Sequence, residues 1–516
     1  MRYFLVITTF FIYSSLPIAW AANAPSQTPT LTASPSDKDT PQEKDKDKAA
    51  AIASSVNNYM SLTKSIVSVV TTTSVAAYYP TGKFYGTGAI LDMAKGWIVT
   101  NSHVASVPSI SSLEIRFFNG DKITTEKVIY AHATHDFAII QVDPSQIPAE
   151  CAALSFEAEV KNGETIKVIG NSVGEDYSVF SGFVSQIYTA SGPFHSESLR
   201  MNIIARGGIS GSPVLNEKGN AVGLSYGTDQ DSTAWAVPSK YIIDAYNSLK
   251  NGSKPIHATA GFICKYTAIS DLQKFSKFPK KQGALYKSKF SDARGEALVV
   301  LKVMEGFSAH GKLQPGDMLW KVNGELLGPN LFILEKAFNT ATKPVKLTIY
   351  RNGKEIDLEI TAKSLPDRRL NRYITFAGAT FYESDYYMHV YTGVPLGSVL
   401  VSVIESGKTF SHIVPTTPVP SHVYQIAHSN ILSMSSFSLQ SLDDLKKALP
   451  ALLKEKNFTM VTRNYGFQFV YNGVPYLSRD EQQKDVELAL TDTNAQYYEW
   501  NEEKGTWAQT EITAAS

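Results

Sequence analysis

Arg206-Gly207-Gly208-Ile209-Ser210-Gly211-Ser212-Pro213 is the stretch on which the reading of this chain turns. Glycines on both sides of Ser210 permit a sharp turn. Such a turn lets the amides of Gly208 and Ser210 aim at one point, where negative charge can develop. A serine hydroxyl is a poor nucleophile near neutral pH. It needs a base to take its proton, and the base needs a carboxylate to hold it. Working outward, His103 ends the run Trp97-Ile98-Val99-Thr100-Asn101-Ser102-His103, and Asp136 precedes Phe137-Ala138-Ile139-Ile140-Gln141-Val142. A histidine at a strand end is most often a packed core residue, and a Gly-x-Ser-Gly turn is common. What carries weight is their order in one region, His, then Asp 33 residues on, then Ser 74 residues further.

That region is built of short strands. Ser65–Val70, Gly86–Leu91, Trp97–Thr100, Leu113–Phe117, Phe137–Val142, Thr165–Ile169, Tyr177–Phe180 and Gly182–Ile187 are β-branched or alternating. Asn119-Gly120 is a hairpin signal. Many short strands with glycine-rich turns predict β-barrels or sandwiches. One helical run, Ser239 to Leu249, closes the region before Asn251-Gly252.

The whole chain has 516 residues, 48 Lys+Arg and 48 Asp+Glu. A neutral balance argues against nucleic acid as a partner. Two cysteines, Cys151 and Cys264, exclude a disulfide framework and a Cys-rich zinc site, leaving one disulfide or two buried thiols. Met1-Arg2, an apolar stretch and Ala19-Trp20-Ala21 predict a signal peptide over 1–21, with no stable membrane anchor. Residues 22–60 are Pro-, Ser- and charge-rich and predict a flexible linker. His132 and His135 stand at His-x-x-His spacing, but no acidic or cysteine partner completes a metal site. No phosphate-loop pattern is present, so no metal or cofactor is expected.

The motifs resemble a known family. Thr100–Val104, His135–Ile140 and Gly208–Pro213 resemble the three catalytic segments of the HtrA/Deg serine proteases, in the chymotrypsin order His, Asp, Ser. Gly86–Ile90, Val168–Gly174 with Phe180–Ser185, and Ala234–Ser239 resemble further segments of the same family. The chain departs at Ile209, where the family often has Asn, at Ser212, where it often has Gly, and at Trp235, where it often has Phe.

The second half resembles the PDZ domains of those proteases. Gly261-Phe262-Ile263-Cys264 resembles their opening strand, and Leu313-Gln314-Pro315-Gly316-Asp317 with Asn323-Gly324 their central turn. Leu331–Asn339 predicts a helix. Tyr373–Gly378 begins a second copy, and Ser441–Leu449 fits an amphipathic helix within it. This copy is degenerate, because Ile413–Pro418 stands where the Leu-x-x-Gly-Asp turn belongs.

The resemblance implies a mainly β chain, with a chymotrypsin-like double β-barrel over 61–252 and PDZ-like domains over 257–365 and 370–475. A C-terminal tail or hairpin is expected over 476–516. It implies catalysis by His103, Asp136 and Ser210, an oxyanion hole from the Gly208 and Ser210 amides, and a substrate pocket involving Ile209, Ala234, Trp235 and Ala236. Gly261 and Phe262 would face a peptide carboxylate. The function implied is an exported serine endopeptidase for unfolded or damaged proteins, with peptide C-termini at its PDZ domains. A trimer or a multiple of one is expected, in the periplasm of a Gram-negative cell or otherwise secreted. The alternatives are a catalytically weak, chaperone-like protein on the same scaffold, or a processing protease with one substrate.

Overall fold

Strand alternation divides the first half between two cores. The computed structural model describes residues 59–515, apart from 76–81, 173–174, 192–194, 205–206, 229–231, 367, 406, 411–428, 465–467, 472–473 and 478–481. The signal peptide expected over 1–21 and nearly all of the linker expected over 22–60 lie outside the described residues, as does Ile413–Pro418.

Seven strands come first: β1 (Ile66–Val75), β2 (Gly82–Asp92), β3 (Trp97–Thr100), β4 (Ile110–Arg116), β5 (Lys122–Thr125), β6 (Val128–Ala131) and β7 (Ala138–Gln141). They form one sheet in the order β5-β4-β1-β2-β3-β7-β6. Val67, Val69, Ile90, Ile98, Leu113, Ile115, Ile123, Ala131, Ala138 and Ile140 share a single core, so the sheet wraps around it. The alternate residues Ile66, Ala89, Trp97, Val99 and Ile139 face the other way, into a second core. Central strands are therefore buried on both faces, which is why Trp97–Thr100 and Phe137–Val142 read as unbroken apolar runs.

The second half of the body closes on itself. Strands β8 (Thr165–Ser172), β9 (Glu175–Ser191), β10 (Ser196–Asn202), β11 (Pro213–Leu215), β12 (Ala221–Thr228) and β13 (Thr233–Pro238) form a closed barrel. Its interior holds Ile166, Val168, Val184, Leu199, Met201, Val214 and Val222. Each such side chain contributes about 1.5–3 kcal/mol by leaving water. Ile169, Leu215, Leu224 and Val237 point outward from the barrel and join the core shared with the first sheet. Helix α1 (Ser239–Lys250) seals that junction with Tyr241, Ile242 and Ala245, and Ser239 Oγ donates to Ala221 O at 2.8 Å.

The next module follows the PDZ-like pattern of a sheet around a helix. Strands β14 (His257–Thr259), β15 (Phe262–Ala268), β16 (Glu296–Val303), β17 (Met318–Val322), β18 (Glu325–Leu326), β19 (Val345–Arg351), β20 (Lys354–Ile360) and β21 (Lys363–Leu365) follow in order. The main sheet runs β15-β16-β17-β19-β20, leaving β15 at an edge, while β14 pairs with β21. Asp317 explains its turn motif: buried, it accepts the Nε and Nη2 of Arg351 at 2.7 and 2.6 Å. Two helices, α2 (Ile269–Phe275) and α3 (Lys280–Lys289), intervene between β15 and β16. Helix α4 (Leu331–Asn339) buries Leu331, Leu334 and Phe338, three or four residues apart as an amphipathic stripe requires. Lys240 of α1 pairs with Glu197, whose carboxylate also takes the Phe332 N–H at 3.1 Å and so docks α4 on the barrel.

A second PDZ-like module follows. Its nine-stranded sheet surrounds α6 (Leu442–Leu452), whose start is fixed by a capping box between Ser441 and Asp444. The shorter α5 (Tyr386–Thr392) begins at Asp385. The strand Gln482–Ala489 pairs with Asn457–Asn464, and the hairpin Ala495–Asn501/Thr506–Glu511 pairs with Arg372–Phe376. The residues expected as a C-terminal tail or hairpin over 476–516 contain such a hairpin, and they belong to this sheet, with Leu488, Ala495 and Tyr497 in its core.

Candidate active site

The end of β3 and the approach to β7 are tied together residue by residue. Asn101 Nδ2 donates to Asp136 O at 2.7 Å, and Ser102 Oγ donates to Phe137 O at 2.8 Å. These bonds bring His103 over Asp136. The His103 N–H donates to Asp136 Oδ1 at 3.0 Å, and its Nδ1 lies 2.6 Å from Oδ2. The carboxylate thereby fixes both the backbone and the ring, which leaves Nε2 as the ring atom able to take a proton. Burial by itself would raise the Asp136 carboxyl. The charge and hydrogen bonds of His103, with a smaller contribution from Arg368, outweigh it and hold the group below its ordinary value. Both side chains keep just over a quarter of their surface in solvent, 27% and 28%.

The Ser210 loop is pinned to the first sheet through β2. The Thr87 N–H donates to Ser210 O at 2.8 Å, and Thr87 Oγ1 donates to Gly208 O at 3.1 Å. Thr100 Oγ1 reaches Thr87 O at 2.6 Å. Gly211 has φ +84°, and a Cβ there would lie 1.9 Å from Thr87 O. A Cβ on Gly86 would lie 2.6 Å from Val104 Cγ1 and 3.2 Å from Ser210 O. The residue after His103 and the backbone of Ser210 therefore meet over one glycine, and only close backbone packing allows it. Gly208 has φ +96°. Among the described residues neither its N–H nor that of Ser210 donates to a protein acceptor, so both are available to an oxyanion. None of the hydrogen bonds among the described residues joins Ser210 Oγ to the His103 ring. Such bonds commonly tighten only when substrate binds.

Of the four residues expected to line a substrate pocket, three pack inward. Ile209, Ala234 and Ala236 are buried in the barrel core with Val214 and Val222. Ile209 packs there against the barrel and so holds the serine loop to it. Alternation on β13 turns Trp235 outward, where it is half-buried and in register with Arg200 and Gly227. The Gly261 N–H, in the backbone expected to face a peptide carboxylate, donates to Thr259 Oγ1 at 3.1 Å. Its φ is +82°, and a Cβ would lie 2.0 Å from Phe307 Cβ. Phe262 sits edge-on to Phe338 of α4 with ring centres 6.0 Å apart. Both line a cavity of about 60 Å³ between β15 and α4, walled also by Thr134, Ser196 and Tyr386.

Three contributors escaped the sequence reading. Thr87 is fully buried and serves both triad segments. Its place inside Gly86-Thr87-Gly88 was the available signal. Glu335 of α4 lies 3.1 Å from His135 Nε2, and Arg368 approaches from the connection between the PDZ-like modules. No local pattern marks either one. His132 packs edge-on against both His135 and His257, with ring centres 4.8 and 4.7 Å away. Burial pushes His132 well below its ordinary value and lowers His257 to about 4. Cys151 and Cys264 are free and buried, and burial pushes the Cys151 thiol up to about 11.

Residues 86–224 match the family described as trypsin-like peptidase domain. The chain is 31% identical over 340 residues to the pro-apoptotic serine protease NMA111 of Chaetomium globosum, covering 63% of this chain and 32% of that protein. It is 27% identical over 327 residues to the protein of the same name from Meyerozyma guilliermondii, covering 61% and 33%. The chain thus spans about a third of the length of these curated relatives. Among solved structures, an HtrA-type protease AlgW bound to a tripeptide is 17% identical, with a TM-score of 0.43, covering 60% of this chain and 97% of that one. Overlap that loose carries no argument. Residues 86–224 thus carry a trypsin-like peptidase domain, the ordered His, Asp and Ser segments lie inside it, and the chain is similar over that region to proteins named as serine proteases.

Proposed function

We propose that His103, Asp136 and Ser210 hydrolyse peptide bonds of unfolded or damaged proteins. The observation that carries this reading is the 2.6 Å contact of His103 Nδ1 with Asp136, beside a serine loop fixed by Thr87. Ser210 Oγ attacks the carbonyl carbon while His103 Nε2 takes its proton. The carbonyl oxygen becomes an oxyanion facing the Gly208 and Ser210 amides. Collapse breaks the C–N bond, and His103 passes the proton to the leaving amine. Water, deprotonated by the same ring, then releases the acid and restores Ser210.

The PDZ-like modules, over 257–365 and from 370 through the C-terminal hairpin, are proposed to select peptide ends, and assembly as a trimer or a multiple of one is proposed with them. Export is proposed from Met1–Ala21. Among the described residues no helix is long and apolar enough to cross a membrane. The relatives quoted are fungal and lend no support to a Gram-negative periplasm.

A second reading, a holding protein of low activity, is favoured by the lack of a direct Ser210–His103 hydrogen bond. Casein digestion separates the two. The protease reading expects wild type to cleave casein and Ser210→Ala to lose about 10⁴–10⁶ of that turnover. Equal digestion by both proteins overturns it, and no digestion by either favours holding.

A further inference from the structure

Arg368 lies in the short connection between β21 and the strand Arg372–Phe376, yet its side chain is only 5% exposed. It is turned into the protease body. The backbone N–H of Arg368 donates to Ala131 O at 3.3 Å, at the end of β6, where the chain leads on to Asp136. Its Nη2 donates to Val107 O at 3.5 Å, in the turn that begins at His103. Its Nε lies 3.4 Å from Asp385 Oδ2, while Asp385 Oδ1 accepts the Met388 N–H at 2.7 Å and starts α5. The guanidinium carbon sits 4.1 Å from the centre of the Tyr387 ring.

A buried guanidinium is tolerated only where its charge and donors are met. Here the guanidinium meets the His103 turn and the first helix of the second PDZ-like module, while the backbone N–H of the same residue holds the segment feeding Asp136. A planar fork suits this better than a flexible ammonium, because its donors point in fixed directions. Asp385 lies against it on one side, and the guanidinium charge also acts on Asp136.

We propose that Arg368 is a positioning residue for the His103–Asp136 pair, clamping the two segments that carry it and tying their geometry to the seating of the second PDZ-like module through Asp385. The assignment rests on the catalytic reading above. It adds that the triad of one domain is completed by a residue supplied far along the chain.

The test uses the full chain and a fluorophosphonate serine probe, with kcat/KM on a quenched peptide from pH 5 to 10. Arg368→Gln is expected to fold, to lose about tenfold in kcat/KM through small misplacement of the base, and to move the acid limb of the pH profile upward. The upward sign follows because removing a nearby cation favours the protonated imidazole. Arg368→Lys keeps the charge, so its acid limb stays in place while the rate recovers only in part. Asp385→Asn frees the far end of the clamp and lowers kcat with KM unchanged. A wild-type rate and pH profile in Arg368→Gln overturns the assignment, and so does a lost rate with an unmoved acid limb. If Arg368→Gln does not fold, a wild-type rate in Asp385→Asn overturns it. Should wild type itself fail to label, the catalytic reading has failed and the assignment falls with it. Should wild type label and Arg368→Gln label identically at every pH, the assignment alone has failed.

Discussion

Glu335 Oε2 of α4 lies 3.1 Å from His135 Nε2, so the helix lining the groove of the first PDZ-like module touches the residue before Asp136. His135 is almost wholly buried, and burial by itself would raise the Glu335 carboxyl. His135, His257 and Lys240 outweigh burial and hold Glu335 below its ordinary value. We predict that Glu335→Gln, which keeps the shape and removes the charge, lowers kcat/KM more than KM changes. Steady-state kinetics on a short peptide that does not reach the module checks this. Unaltered kcat would mean that the contact is structural only.

The same cluster makes stability depend on pH. His257 is held neutral, with its folded value lowered to about 4. The unfolded chain therefore binds a proton there between about pH 6.5 and about 4 while the folded chain does not, and stability falls as pH drops through that window. His132 is shifted the same way. The His257 contribution to the loss is at most about 3 kcal/mol. Glu335 adds to it lower down, since a depressed carboxyl loses its contribution as pH falls through its folded value. Thermal melts at pH 7 and pH 5 should show the lower midpoint at pH 5, and His257→Asn should flatten the difference.

Thr87→Val keeps the volume of a fully buried side chain and removes its hydroxyl. Gly208 O and the Asn171 N–H, which lies 2.9 Å from Thr87 Oγ1, both lose a partner. The expected cost is about 1–3 kcal/mol of stability, with a fall in kcat of about tenfold or more as the serine loop loosens. Denaturant melts and kinetics on the same preparation check both. A stability loss with full kcat would remove Thr87 from the account of the site.

Gly211→Ala is expected to be more severe. Its Cβ would sit 1.9 Å from Thr87 O on backbone already at φ +84°. Serine-probe labelling should fall at least tenfold, because the loop carrying Ser210 must move to relieve the overlap. Wild-type labelling in a folded Gly211→Ala would show that the Thr87 contact does not set the loop.

These sites differ in how far the sequence revealed them. Trp97–Thr100, Glu296–Val303, Val345–Arg351 and Leu331–Asn339 were readable because β-branched runs and amphipathic stripes are local signals. Motif order pointed to His103 and Asp136, which the structure brings within 2.6 Å, and to the Ser210 loop. The α2–α3 insertion was not, because Phe278 and Tyr286, its core contacts, are scattered among Lys277, Lys280, Lys281, Lys287 and Lys289 around Pro279. Motif likeness located Ala234 and Ala236 but gave no sense of which face of β13 they occupy, and barrel alternation turns them inward. Glu335 and Arg368 act across modules, where spacing along the chain carries no signal.

The most direct test is mass-spectrometric mapping of a fluorophosphonate adduct on the purified protein at pH 8. Labelling is expected on Ser210 alone, abolished in His103→Ala and Ser210→Ala. Absence of any Ser210 adduct from a folded wild-type protein, with substrate peptide present to draw His103 and the serine together, would contradict the account.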